Sequence, residues 1–236
     1  MNKYKAVIFD LDGTLADTLG DLTVAMNKML VSFGWPTKSR TDMIGYIGQG
    51  ARRFVMMAMP ESAYKSEDDR MIDTALDFYS RKYAEAYCNE TAAYAGLAGQ
   101  LAALKNAGYK LGVLSNKQDD FVKNIINKLY PDVFDVVAGH TVFPHKPDPS
   151  AAKDVAAKLG VAPEECVFVG DSDIDMKTAV NAGMYPLGVL WGYRGMDVLV
   201  SAGAKSMVSA PDALASKIIS LGEKPAGLFA KLFGKK

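Results

Sequence analysis

Five short, almost uninterrupted apolar runs recur along this chain: Lys5–Phe9, Tyr109–Leu114, Phe134–Ala138, Cys166–Val169 and Pro186–Leu190. A strand with one face in water alternates apolar and polar residues, and these runs do not alternate. Both of their faces must therefore be covered, as in a parallel sheet packed between two layers of helices. Helical stretches are predicted between the later runs, at 97–107, 118–129, 150–160 and 173–182. Ser150 is a candidate helix start, and Gly108, Gly160 and Gly183 are candidate stops. Strand and helix in alternation define a doubly wound α/β domain, a Rossmann-like parallel sheet.

The alternation fails once. Nearly a hundred residues lie between Asp10 and Tyr109, far more than one crossover helix needs. Residues 17–88 show no strand pattern and read as helices near 17–33, 40–47, 50–59 and 67–88, broken by Gly34, Pro36 and Pro60. Five of the six arginines and seven of the twelve methionines fall there, a shift in composition that marks an inserted all-helical unit. Methionine at helical spacing reads as core packing. The expected organisation is a core of residues 1–16 plus 92–236 and a helical domain of residues 17–91, with 222–236 as a basic tail. That tail carries two Leu-Phe pairs and reads as a frayed or core-docking terminal helix rather than a membrane contact.

Composition narrows the function classes. With 236 residues, 49% of them hydrophobic, the chain can bury a full core without staples. Only Cys88 and Cys166 are present, without the spacing of a zinc or redox motif, and they read as buried, inert thiols. Twenty-seven basic residues balance twenty-seven acidic ones, so no overall field draws in nucleic acid or an acidic membrane. The opening apolar stretch is too short for a secretion signal, and no span approaches a membrane helix. A cytoplasmic protein, monomeric or homodimeric, without stable membrane association or nucleic-acid partner is expected.

The chemistry sits where strands end. Asp10-Leu-Asp-Gly-Thr14 follows the first run, Ser115-Asn116 the second, His145-Lys-Pro-Asp-Pro149 the third and Gly170-Asp-Ser-Asp-Ile-Asp175 the fourth. The carboxyl edge of a parallel sheet is where α/β proteins bind ligands. Two ionised carboxylates about 4 Å apart repel by about 4 kcal/mol at an effective dielectric near 20, so Asp10, Asp12 and Asp171 need a cation among them. An all-oxygen donor set favours a hard ion such as Mg²⁺. Lys146 and the hydroxyls of Thr14 and Ser115 then suit a phosphoryl group. Each motif alone has a bland reading as a turn, a helix cap or a solvated loop. The four together, in order, each behind a predicted strand, do not.

In these motifs the sequence resembles the haloacid dehalogenase superfamily of phosphatases, and among them is similar to phosphoglycolate phosphatases with a helical cap, over essentially the whole chain up to about Leu221. The resemblance implies that Asp10 is a nucleophile forming an aspartyl-phosphate, and that Asp12 protonates the leaving oxygen and then activates water. It implies Mg²⁺ held by Asp10, the backbone carbonyl of Asp12, and Asp171. Ser115 corresponds to the phosphate-binding hydroxyl and Lys146 to the charge-balancing lysine, with Asn116 beside the phosphate. Asp175 ties Lys146 or the metal's waters in place.

The second aspartate separates reaction types: an alkoxide leaving group needs a proton and a halide does not, so Asp12 argues for phosphoester hydrolysis over dehalogenation. A phosphonatase would also lack this aspartate. The implied cap closes over the site, and Ile47-Gly-Gln-Gly-Ala-Arg-Arg53 is its candidate reading element, with Gln49 or Arg52 reaching the distal part of a small phosphorylated metabolite. Arg194, behind the fifth run, is a further candidate to enter the site, against a structural loop with Tyr193 packed down. Pyrophosphate, nucleotide and sugar-phosphate substrates stay open. A phosphomutase is disfavoured because no histidine lies in residues 17–88. A receiver-type signalling module would be about half this length and lack the insertion.

Overall fold

The structure, a computed structural model, describes residues 3–222; the expected basic tail, apart from its first residue, lies outside them. The chain begins with β1 (Ala6–Phe9), makes the two-residue strand β2 (Ala16–Asp17), and enters four helices: α1 (Leu19–Ser32), α2 (Arg40–Tyr46), α3 (Ala51–Ala58) and α4 (Arg70–Ala84). It returns through β3 (Ala92–Ala93), α5 (Leu97–Asn106), β4 (Lys110–Gln118), α6 (Asp119–Leu129) and β5 (Val136–His140). The remainder is α7 (Ser150–Lys158), β6 (Cys166–Gly170), α8 (Asp173–Ala182), β7 (Tyr185–Val189), α9 (Met196–Ser201), β8 (Ser206–Val208) and α10 (Leu214–Gly222).

Six strands form one sheet in the order β5-β4-β1-β6-β7-β8, every neighbouring pair parallel. Its two faces are both packed. Val7, Phe9, Leu111, Val113, Val167 and Val169 face α5, α6 and α10, while Ala6, Ile8 and Phe168 face α7 and α8. That explains why the strands show no alternation in sequence. The chain builds outward from β1 through β4 to β5, then crosses back to lay β6 on the other side, so the order reverses between β1 and β6. Such a switch point opens a crevice at the carboxyl ends of the two strands.

All five apolar runs are strands of this sheet. The second extends to Gln118, four residues beyond its apolar part, because a register shift after Leu114 carries the polar end to a pairing of Gln118 with His140. The edge strand β8 was not legible, being only three residues long. Ser150 does not cap α7: Pro149 occupies that position, and Asp148 accepts from the Ser150 amide at 2.9 Å. Cys166 is buried as expected, but Cys88 is only half-buried.

The four inserted helices have a core of their own, with Met26, Met29, Met43, Met56 and Met59 all buried in it beside Ile72 and Tyr79. These five methionines are packing residues, as expected, while Met57 is half-buried and Met71 exposed. The chain leaves and re-enters the sheet domain side by side, because β2 and β3 pair antiparallel (Ala16 with Ala93, Asp17 with Ala92). Within the first turn of α1, the carboxylate of Asp21 is buried and accepts from the amides of Glu90 and Thr91 and from the Thr91 hydroxyl at 2.7 Å. A single side chain thus fastens the outgoing helix to the returning strand. Asp21→Ala leaves those donors without a partner and is expected to lower the unfolding free energy by roughly 2–4 kcal/mol in urea titration.

Candidate active site

Asp10 stands directly behind β1 and Asp171 directly behind β6, so the order reversal of the sheet sets the two carboxylates side by side. Asp175 joins them from the first turn of α8. With Asp10 and Asp171 it offers ligand oxygens that all lie within 4.8 Å of one another, and all three residues are buried. Ser172 closes a capping box with Asp175: its hydroxyl donates to Asp175 Oδ2 at 2.6 Å and receives the Asp175 amide. The cap that starts the helix therefore also aims a carboxylate at the site.

Lys146 answers this charge. Its Nζ donates to Asp10 Oδ1 and to Asp175 Oδ1, each at 2.7 Å, and its side chain is 3% exposed. Asn116 holds the lysine's backbone from both sides, receiving its amide at 2.7 Å and donating to its carbonyl. Burial alone would lower the Lys146 pKa, but Asp10 and Asp175 outweigh it and the ammonium is held above its usual range. Three carboxylates against one cation leave an excess of negative charge. Burial, and then the neighbouring Asp175, push Asp171 up to about 7. The same two causes raise Asp10 well above the ordinary carboxylate range against the pull of Lys146. A divalent cation fits that deficit: the donors are hard oxygens and the nearest groups want positive charge.

The charge argument from sequence groups the Asp12 carboxylate with those of Asp10 and Asp171, while the resemblance gives the ion only the Asp12 backbone carbonyl. The structure instead places Asp175 in the acid cluster and turns the Asp12 side chain aside, where Oδ1 accepts from Lys117 Nζ at 2.8 Å and from the Thr18 hydroxyl. The reason is the turn after β1. Gly13 takes φ +84°, and a Cβ there would stand 2.3 Å from Asp171 Oδ2, so the backbone rather than a side chain passes the cluster. Thr14 donates its hydroxyl to Asp171 Oδ1 at 3.2 Å, and the Tyr193 amide donates to Oδ2 at 2.7 Å. Ser115 is buried and receives the Lys117 amide at 3.2 Å.

Two of the expected residues are not brought to the site. Gln49 is exposed and does not line the cleft. Arg52 turns to the far side of α3, where it donates to the Glu67 carbonyl and pairs with Asp73 at 3.2 Å, because α3 presents its apolar face, Phe54 and Val55, inward. What the glycine turn contributes is backbone. Asn116 donates to the Gly48 carbonyl at 2.8 Å, and Gly50, at φ +85°, packs so closely on His145 that a Cβ would lie 2.5 Å from its Nε2. Arg194 lines the cleft, yet its guanidinium is spent on the carbonyls of Ile44 and Ile47. It fastens the insertion to the core.

Sequence reasoning missed Lys117, Thr18, Tyr79 and Tyr83. Lys117 directly follows Ser115-Asn116 on β4, and extending that strand by three residues would have delivered it to the same rim. The two tyrosines looked like ordinary helix-core residues; only the docking of α4 over the sheet edge makes them cleft walls. Between the two units lies a cleft of about 830 Å³, part of it open to solvent, lined by the acid cluster on one side and by α1, α3 and α4 on the other.

With the geometry in view, comparisons with known proteins agree. Residues 7–189 match the family described as haloacid dehalogenase-like hydrolase. The phosphoglycolate phosphatase of Pseudomonas putida is 32% identical over 193 residues, covering 80% of this chain and 71% of that protein. The phosphoglycolate phosphatase of Nitrosospira multiformis is 33% identical over 197 residues, covering 82% and 87%. A crystal structure from Lactobacillus delbrueckii subsp. bulgaricus superposes with TM-score 0.86 at 30% identity, covering 94% of this chain and all of that one. The chain belongs to the haloacid dehalogenase-like hydrolases. Within that family it is a phosphatase, a hydrolase of phosphoric monoesters.

Asp171, raised when folded, contributes stability that is full below about pH 4 and is lost as pH climbs through about 7. In the absence of divalent cations the unfolding temperature is therefore expected to fall between pH 5 and 7.5. Millimolar Mg²⁺ is expected to restore it, with a larger gain at pH 7.5 than at pH 5, as read by calorimetry.

Proposed function

We propose that this protein is a Mg²⁺-dependent phosphomonoester hydrolase that works through an aspartyl-phosphate on Asp10, with residues 17–91 acting as a helical cap over a core of residues 1–16 and 92–236. The observation that carries this reading is the cluster of Asp10, Asp171 and Asp175 around Lys146 at the switch point of the sheet. Asp10 and Asp171, with the Asp12 carbonyl, would hold the ion. When bound it supplies the positive charge that keeps these carboxylates ionised and offsets charge on the phosphoryl oxygens.

Lys146 holds Asp10 by Oδ1, which presents Oδ2 as the attacking oxygen. Attack on phosphorus forms the Asp10–phosphorus ester bond and breaks the bond to the leaving oxygen. Asp12 gives that oxygen its proton and so releases a neutral alcohol. The Asp12 carboxylate then takes a proton from water as the water attacks phosphorus, which frees inorganic phosphate and returns Asp10 to a carboxylate. Lys117 and Thr18 both hold Asp12 Oδ1, so the same carboxylate faces the leaving oxygen in the first step and water in the second. The Ser115 hydroxyl stands at the rim, beside Asn116, to meet phosphoryl oxygens. The insertion excludes bulk water from the ester.

The substrate is a small phosphorylated metabolite, and the setting is the cytoplasm; among the described residues no helix is long and apolar enough to cross a membrane. Phosphate release from a panel of monoesters tests the reading. Asp10→Asn is expected to abolish Mg²⁺-dependent release, and Asp12→Asn to lower kcat by about 10²–10⁴-fold. Undiminished turnover in Asp10→Asn would remove the covalent mechanism.

A further inference from the structure

The acid cluster accounts for one end of a substrate; the other end meets the opposite wall of the cleft. That wall is built by Leu22 of α1, Phe54 of α3, Tyr79 and Tyr83 of α4, and Phe121 of α6. The first four are each at most 5% exposed, so the surface they offer is closely packed and mostly apolar. Tyr83 and Phe121 pack edge to face with centroids 5.0 Å apart, and Tyr79 stacks on Tyr83 at 5.8 Å.

Three cations line the same cleft, and each is already engaged. Lys146 is shared between Asp10 and Asp175, Lys117 pairs with Asp12 at 2.8 Å, and Arg194 holds the carbonyls of Ile44 and Ile47. The arginines of the glycine turn, Arg52 and Arg53, pair with Asp73 and Glu67 and do not line the cleft. The side-chain polar atoms that α1, α3 and α4 bring to the cleft are hydroxyls, and the turn before α3 adds the uncharged backbone of Gly48, Gly50 and Ala51. Ser80 supplies one, and burial holds both tyrosines as neutral phenols far above their usual range; the Tyr83 hydroxyl is buried with no hydrogen-bond partner.

A carboxylate or a second phosphate on the leaving group would lose its hydration against this wall. To regain a full side-chain counter-charge it would have to strip Lys117 from Asp12, the proton donor, or Arg194 from the carbonyls that dock the insertion. Burying an unpaired anion is among the most unfavourable arrangements a site can present. An uncharged group with an apolar or aromatic face meets no such penalty, gains burial against Leu22 and Phe54, and stacks on the tyrosines.

We propose that the cleft selects phosphomonoesters whose leaving group is uncharged and presents an apolar or aromatic face, and discriminates against leaving groups that carry a carboxylate or second phosphate. This rests on the phosphomonoesterase reading above and names its substrate class. It also separates this chain from the substrate in the names of its phosphoglycolate phosphatase relatives, although the catalytic rim is of the same family.

Benzyl phosphate and 2-phosphoglycolate form a matched test, since both release a primary alcohol and differ chiefly in what that alcohol carries. With Mg²⁺ at pH 7 the wild-type protein is expected to show kcat/KM at least tenfold higher on benzyl phosphate. Phe54→Arg, which places a cation on the wall, is expected to shrink that ratio at least fivefold in protein shown to be folded by circular dichroism. Equal or higher kcat/KM of the wild type on 2-phosphoglycolate overturns the proposal and leaves the phosphatase reading standing. A ratio unmoved in folded Phe54→Arg also counts against it. Release of phosphate from neither ester, nor from 4-nitrophenyl phosphate, overturns the phosphatase reading and the proposal together. The wild-type comparison decides the matter whether or not the variant folds.

Discussion

Everything at the catalytic rim hangs on one buried ammonium. Lys146 sits between Asp10 and Asp175 with 2.7 Å to each, in a place where neither carboxylate tolerates the other without it. Breaking a buried pair by removing one partner leaves an uncompensated charge and is strongly destabilising. The lysine is in turn placed by Asn116, which grips its backbone, and Asn116 also reaches across to the Gly48 carbonyl of the helical insertion. One residue thus connects the charge balance of the core to the docking of the unit above it. The deficit that Lys146 leaves unbalanced, visible in the raised Asp10 and Asp171, is what suits the cluster to a divalent cation.

The sheet topology makes this economical. Because the strand order reverses between β1 and β6, two segments far apart in sequence end side by side, and each carries its aspartate at the first position past the strand. The elements that form the site are also elements that stabilise the fold. Asp175 caps α8 and binds Lys146, while the Asp12–Thr14 turn joins β1 to β2 and supplies both the Asp12 carboxylate and the Thr14 hydroxyl. The helical insertion enters through a two-residue ribbon fastened by Asp21 and is held over the rim by backbone carbonyls at 44, 47 and 48. Those hydrogen bonds are accepted by the insertion's main chain, while its side chains Tyr83 and Tyr87 pack on Phe121 of the core.

Much of this was legible in the chain. Continuous Val, Ile, Leu and Phe runs can be satisfied only by burial on both faces, so a parallel, doubly covered sheet follows from the physics of the strand alone. Asp10, Asp171, Lys146 and Ser115 were readable because each sits within a few residues of a recognisable strand end. The same reasoning failed at Gln49 and Arg52, where a glycine turn and two cations looked like a substrate clamp. The amphipathic register of α3 turns Phe54 inward and Arg52 outward to Asp73, and the glycines serve close packing on His145 instead.

Local sequence thus determined the elements, the reversal-compatible order of strand and helix, and the acidic residues at the strand ends, because burial period and turn chemistry act over a few residues. Tertiary structure alone decided which carboxylate completes the cluster, since Asp12 and Asp175 are separated by most of the chain: the Gly13 turn sends the first aside, and the capping box that starts α8 brings the second in. It also decided the character of the far wall. Leu22, Phe54, Tyr79 and Tyr83 read as core in any single helix; they become the wall of a cleft because two packed units leave a gap between them, and no local pattern records which buried faces will meet across it.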